Sequence, residues 1–361
     1  MDDLSPQEHA VYAMVAANPF AGQADIAETL GLARSTVAAH IVSLIRKGYV
    51  LGRGYVLPQP KRIVCLGAAA IDRKYHADAK LVPGTSNPAR GSRSFGGVAR
   101  NVVENLARLG VTASFVSLVG DDENGREILR QLRELGVDTS QVATSTSRAT
   151  AEYVAVLDQD NDLALGIADM AIFDQFGLAQ FDRVWPHLAA AAFVFADCNL
   201  PAEVLAALVE RARTASCRLA VNTVSAPKAA RLPADLTGID LLFVNRDEAA
   251  VLLATPTATP EATVARLRAR GAARVVLTLG GDGCLIADAD GTRHIPARPS
   301  LPRDVTGAGD ALIAGVLYRL LAGEKLAAAA TTGSLLAGLT VESDATVLPA
   351  LSAEWLDRAT P

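Results

Sequence analysis

The sequence predicts an α/β fold, a doubly wound and mostly parallel sheet with a small β-lid, preceded by a small helical domain. Three observations carry this. From Arg62 onward, short apolar strands alternate with helical stretches, the pattern of a parallel sheet covered on both faces. The first sixty residues lack that alternation and hold three short helices ahead of a Pro-rich break. One hairpin without a crossover helix interrupts the α/β region.

In chain order, Leu4 to Ala17 reads as a helix opened by Ser5-Pro6, and Gln23 to Leu30 as a second. Gly31 makes a tight turn, and Arg34 to Lys47 forms a third helix, with Val37, Ile41, Leu44 and Ile45 at helical spacing. Gly48 to Leu51, Gly52-Arg53-Gly54 and Tyr55 to Leu57 read as a small hairpin, and Pro58-Gln59-Pro60 as a linker. Residues 4–57 resemble a winged helix-turn-helix, which divides the chain into a first domain over 1–57, a linker over 58–61 and a large domain over 62–361.

In the large domain the expected strands are Arg62 to Leu66, Ala113 to Leu118, Ala192 to Ala196, Arg218 to Val221, Leu241 to Val244 and Arg274 to Leu279. Between them lie helices such as Asn101 to Leu109, Asn124 to Leu135, Ala202 to Ala215, Glu261 to Arg270 and Ala311 to Leu321. The interrupting hairpin pairs Ala151 to Leu157 with Leu163 to Ile167 across a polar turn. That inserted hairpin is a candidate lid.

Composition narrows the function. With 361 residues, 50% hydrophobic, and a net charge of -5 spread without long like-charge blocks, the chain buries a large core and carries no basic stripe over its whole surface. No apolar run approaches the roughly 20 residues of a membrane helix, and the acidic N-terminus lacks the basic start of a signal peptide. Cys65, Cys198, Cys217 and Cys284 stand apart in apolar surroundings, as reduced thiols of a cytoplasmic protein do.

Asp304-Val305-Thr306-Gly307-Ala308-Gly309-Asp310 runs straight into a helix. Small residues at a helix N-terminus let backbone N–H groups converge on an anion, and a carboxylate there can take a proton from an attacking hydroxyl. By itself this run also fits a plain N-cap. Ser94-Phe95-Gly96-Gly97-Val98-Ala99-Arg100-Asn101 places two glycines before a second helix. Asn245 and Glu248 lie one turn apart after a buried strand, either as a capping pair or ordering water around a Mg²⁺ held by phosphates. Thr278, Gly280 and Gly283 end another strand, where open α/β sheets bind ligands. Neither a P-loop nor a G-x-G-x-x-G is present.

G-G-x-x-x-N at Gly96 to Asn101, N-x-x-E at Asn245 to Glu248 and D-x-T-G-A-G-D at Asp304 to Asp310, in that order, resemble the PfkB/ribokinase family of sugar and nucleoside kinases over residues 61–355. The resemblance implies a lid spanning about 73–95 and 150–167, and transfer of the ATP γ-phosphate to a primary hydroxyl, with Asp310 as base and Gly307, Ala308 and Gly309 as anion hole. It places Gly96, Gly97, Asn101 and Asp72 on the sugar hydroxyls. Asn222, Lys228, Asn245, Thr278, Gly280 and Gly283 fall on ATP, and Glu248 on Mg²⁺ through water. Asp304 and Thr306 match a K⁺ site, although Val305 stands where a Thr is common and Asn222 where Asp is common. Lys228 reads equally as a solvated surface lysine.

Further segments, among them Ser86-Asn87-Pro88, Ala168-Asp169-Met170 and Asp197-Cys198-Asn199, resemble the members of the family that phosphorylate pseudouridine. Asn87 and Asp169 are then the expected partners of the uracil edge.

Residues 1–60 hold four basic side chains against five acidic ones. The positives nonetheless cluster: Arg34, Ser35 and Thr36 open the expected recognition helix, Arg46 and Lys47 close it, and Arg53 tips the wing, so DNA is the expected partner, with a protein-interaction or dimerisation module as the alternative. Two alternatives stand beside a nucleoside kinase with an accessory DNA reader: a kinase of another furanose, and a transcription regulator that uses the large domain as a sensor. Lid and helix-turn-helix both point to a homodimer.

Overall fold

The computed structural model describes residues 4–18, 21–51, 61–160, 162–255 and 259–359. The wing with Arg53 and the Pro58-Gln59-Pro60 linker fall outside them. The first helix is Pro6–Ala17, with Ser5 and Glu8 capping each other reciprocally and Pro6 in the first turn. Gln23–Leu30 ends on left-handed Gly31 (φ 64°), and Arg34–Arg46 follows. Val11, Val15, Ile26, Val37, Ile41 and Leu44 close their common core.

The large domain is built on an eight-stranded sheet. From one edge to the other the strands are Gly291–Ile295, Cys284–Asp288, Val275–Thr278, Leu241–Asn245, Arg218–Asn222, Phe193–Asp197, Ile63–Leu66 and Ala113–Val116. The six from Val275–Thr278 onward are parallel; the first two form an antiparallel edge that the sequence pattern did not predict. Successive strand residues feed opposite faces. Val64, Leu66 and Val194 join a core with Leu205, Leu208 and Val264, while Ile63, Cys65 and Phe193 join one with Val102, Leu106, Ile313 and Val316. Cys65, Cys198, Cys217 and Cys284 are all buried and unbridged, and burial raises their thiol pKa values. Among the described residues no helix is long and apolar enough to cross a membrane.

The lid is a separate four-stranded sheet in the order Ala89–Gly96, Ala70–Ala77, Ala151–Leu157, Leu163–Asp169. Its first strand begins at Ala70, earlier than the predicted boundary, and leaves the crevice of the main sheet directly. Asp72 and Lys74, two residues apart on that strand, therefore project from the same face, towards the site described next.

Candidate active site

The helix Ala308–Leu321 starts at the crevice beyond the carboxyl ends of the parallel strands, the usual ligand position in open α/β sheets. Asp310 sits in its first turn and receives a 2.8 Å hydrogen bond from Asn101 Nδ2. The other end of that amide is fixed too, because Arg100 Nη1 donates to Asn101 Oδ1 at 2.8 Å. Arg100 is buried, ion-paired to buried Glu104 and stacked over Phe95, with 5.2 Å from guanidinium carbon to ring centre. A chain of contacts thus runs from Glu104 through Arg100 and Asn101 to one carboxylate oxygen of Asp310. Burial pushes the Asp310 carboxyl up to about 7; the Asn101 amide and Arg100 oppose that, and Asp197 and Asp72 reinforce it. Asp72 is raised to about 6, again mainly by burial, against the charges of Lys74 and Arg100.

Backbone shape closes this end of the cleft. Gly97 has φ 95°, and a Cβ there would lie 2.4 Å from the Ala68 carbonyl oxygen; Gly96 packs its Cα against the Asp72 carboxylate. Gly307 has φ 83°, and a Cβ there would lie 2.1 Å from the Thr346 carbonyl oxygen. The first turn beyond it leaves N–H groups without intrahelical partners, a ready anion cradle beside Asp310.

Sequence reasoning assigned no role to Asp197. It is fully buried at the end of Phe193–Asp197, where Oδ2 accepts from the Ala68 and Ala99 amides, both at 2.9 Å. Its Oδ1 accepts from the Asn199 amide at 2.9 Å and the Asn199 side chain at 2.8 Å. Asp197 therefore ties the turn after the first sheet strand to the helix Val98–Arg108 that carries Arg100 and Asn101. The signal was an apolar strand ending abruptly on a carboxylate.

The other end of the cleft is a cavity of about 330 Å³ lined by Thr278, Gly280, Gly283, Ala308 and Gly309. Arg298, Ser334, Ala337 and Gly338 also line it, and the motifs gave no hint of them; the last three lie on the helix Leu326–Val341, which has small residues on many faces. Asn245 and Glu248 form a reciprocal cap: the Glu248 amide donates to Asn245 Oδ1 at 2.9 Å, and Glu248 accepts from the Asn245 amide at 3.0 Å and side chain at 2.9 Å. The Thr223 hydroxyl also donates to Glu248. Among the described residues no three metal-ligating side chains cluster. A single hydrogen-bonded carboxylate fits an ion held by phosphates and water, not by a protein cage. Asn222 Oδ1 accepts from the Val224 amide at 2.9 Å, supporting the positive φ of 65° at Val224. Lys228 is half-buried and donates to Asn199, so it belongs to the Asp197 network rather than to open solvent; burial lowers its pKa, against the nearby Asp197 charge.

Two expected base contacts are engaged locally. The Asn87 side chain bonds the Val82 amide at 2.8 Å and the Val82 and Thr85 carbonyls, which closes its own loop. Asp169 is exposed at the lid edge and accepts from the Ala171 amide at 3.3 Å. Asp304 and Thr306 hold a side-chain cation: Lys74 Nζ donates to Asp304 and, at 2.9 Å, to Thr306 Oγ1.

In the front domain Arg34 and Ser35 are exposed at the start of the third helix, with Thr36 half-buried behind them. Lys47 is ion-paired with buried Glu8 at 3.0 Å, and Arg46 borders a cleft formed with Trp185 and Arg211 of the large domain. The amino end of this helix is therefore the open one, while its carboxyl end packs inward.

A doubly wound sheet with a β-lid, a carboxylate beside a helix-start anion cradle, and a small-residue nucleotide-sized cavity define a phosphotransferase of the ribokinase-like class. The chain belongs to the pfkB family of carbohydrate kinases, whose family model matches residues 60–353, and residues 4–50 match winged helix-turn-helix DNA-binding domains. It is 30% identical to an uncharacterized sugar kinase, YeiI, of Escherichia coli strain K12 over 97% of this chain and 98% of that one. It is 32% identical to the pseudouridine kinase of the same strain over 70% of this chain and 82% of the relative. A carbohydrate kinase structure from Agrobacterium tumefaciens superposes with TM-score 0.72 at 31% identity, covering 83% of this chain and 96% of the other. The Arabidopsis thaliana ribokinase solved with ribose and ATP shares the fold, with TM-score 0.73 at 21% identity, covering 83% and 98%.

Proposed function

We propose that the protein phosphorylates the 5'-hydroxyl of a nucleoside with ATP, pseudouridine being the first candidate acceptor. The observation that carries the reading is Asp310, aligned by Asn101 beside the Gly307-Ala308-Gly309 cradle, with its carboxyl raised to about 7. In the transfer, Asp310 accepts the hydroxyl proton as the acceptor oxygen bonds to the γ-phosphorus and the bond to the ADP oxygen breaks. The cradle N–H groups stabilise charge on the moving phosphoryl group. Asp72, Gly97 and Asn101 hold the sugar hydroxyls, and Thr278, Gly280 and Gly283 flank the nucleotide. Glu248, fixed by Asn245 and Thr223, is the side chain that would orient water around Mg²⁺, which when bound offsets phosphate charge.

The pseudouridine reading rests on the likeness to the pseudouridine kinase and on the local segments it shares. A pure sensor has no need of an aligned base, so turnover is favoured over sensing. Residues 1–57 are read as a DNA reader, joined by a linker at 58–61 to a kinase domain over 62–361, in a cytoplasmic homodimer. Leu163, Leu165 and Ile167 are exposed on the lid edge strand and supply the pairing surface.

ATP consumption against pseudouridine, uridine, ribose and other furanoses tests the reading, with Asp310→Asn as control. Turnover is expected with pseudouridine; tight binding without turnover of any acceptor favours the sensor. A band shift on DNA flanking the protein's own gene is expected to be lost in Arg34→Ala and kept in Asp310→Asn.

A further inference from the structure

Given the kinase reading above, on which this step rests, we propose that Lys74 is a built-in monovalent cation: its ammonium takes the place of a K⁺ ion at Asp304 and Thr306 and makes phosphoryl transfer independent of added potassium. The motif match marked these two residues as a K⁺ site. The structure does not fit a free ion there, because the oxygens such an ion needs are already bonded to an ammonium. Lys74 Nζ donates to one oxygen of Asp304 and, at 2.9 Å, to the Thr306 hydroxyl, while the other Asp304 oxygen accepts from the Thr306 amide at 2.9 Å. The ion pair is sheltered, with side-chain exposures of 20% for Lys74 and 26% for Asp304. Asp304 is held below the usual carboxylate range: burial works the other way, and hydrogen bonds from Lys74 and Thr306 outweigh it.

An ammonium is a compact point charge, as K⁺ is, and it arrives with three donors in place of a hydration shell. Its position matters because Thr306 directly precedes Gly307, where the anion cradle begins. A positive charge on that segment fixes the loop and favours negative charge in the cradle. The source of the charge adds a second consequence. Lys74 belongs to the lid strand Ala70–Ala77, two residues beyond Asp72, so the same strand that brings the sugar-binding carboxylate delivers the cation. A free ion binds the cradle loop whatever the lid does; a lysine on the lid couples the two.

The test measures pseudouridine phosphorylation at constant ionic strength while choline is exchanged for K⁺, Na⁺ or NH₄⁺. The wild type is expected to change less than about twofold across the cations. Lys74→Met is expected to lose at least about tenfold in kcat in choline and to regain most of it with K⁺ or NH₄⁺. Strong activation of the wild type by K⁺ overturns the proposal. So does a Lys74→Met variant that is equally active, or equally inactive, with every cation. Thermal melting supplies a readout without turnover: K⁺ is expected to raise the melting temperature of Lys74→Met over that in choline and to leave the wild type unmoved. Equal shifts in the two proteins contradict the assignment. If the wild type turns over no acceptor at all, the kinase reading fails, and the melting comparison still decides whether Lys74 fills the cation position.

Discussion

The two ends of the cleft are made differently. At the acceptor end, charged and amide side chains are buried and bonded to each other: Asp310 to Asn101, Asn101 to Arg100, Arg100 to Glu104, with Asp197 anchoring the turns beneath. At the other end, proposed to take the nucleotide, the wall is mostly backbone and small residues, Gly280, Gly283, Ala308, Gly309, Ala337 and Gly338. Chemistry requires a proton acceptor at a fixed point, which only a held side chain supplies. Nucleotide binding requires a slot of the right width and free N–H groups, which glycine and alanine supply by leaving room. Substitutions at the first end should therefore damage turnover, and those at the second should damage ATP affinity.

Asp310→Asn should have the largest effect, a loss of about a thousandfold or more in kcat with ATP affinity nearly unchanged. A residual rate above a tenth of wild type would break the contrast. Next comes Gly307→Val, which combines a forbidden φ with a clash against the Thr346 carbonyl. About a hundredfold loss in kcat/KM is expected, with lowered thermal stability. The pair Arg100→Met with Glu104→Leu removes the support of Asn101 without leaving a buried charge alone. A loss of about ten- to a hundredfold in kcat is expected, and the pH profile should move to higher pH, because Arg100 opposes the rise at Asp310. At the nucleotide end, Gly338→Val pushes into Arg298 and the cavity and should raise the KM for ATP about tenfold with little change in kcat.

The last effect is on stability. Asp310 has an ordinary pKa of 3.8 and a folded value of about 7, so the fold binds its proton more tightly than the unfolded chain does. The stabilisation from that proton is complete below about pH 4 and is lost as pH rises to 7. A rise from 3.8 to about 7 corresponds to about 4 kcal/mol at most, so Asp310→Asn should be more stable than wild type at pH 8 by up to that amount and by almost nothing at pH 4, as read by urea denaturation.

The same contrast explains what could be read in the sequence. Continuous apolar runs such as Phe193 to Ala196 announced the parallel strands, and glycines marked the helix starts at Gly97 and Gly307, because the backbone conformations there demand that residue. The lid strand Ala89–Gly96 was hard to place, since it is almost wholly exposed and carries little apolar alternation. Ala337 and Gly338 were missed because a wall made of small residues leaves no motif. Lys74 on Asp304 was also hidden: the motif named the carboxylate, but only the path of the lid strand brings a lysine some 230 positions away onto it. Asn87, Arg46 and Lys47 had residue types suited to the roles expected of them. Local partners at Val82 and Glu8, and the cleft beside Trp185, determine where they point.

The most direct test of Asp310 as the base is the pH dependence of kcat/KM for pseudouridine between pH 5 and 9. The rate should climb about tenfold per pH unit and level off near 7, and Asp310→Asn should lose both the rate and the climb. A wild-type profile that is flat through this range, or an Asp310→Asn variant that keeps the same rising limb, would contradict it.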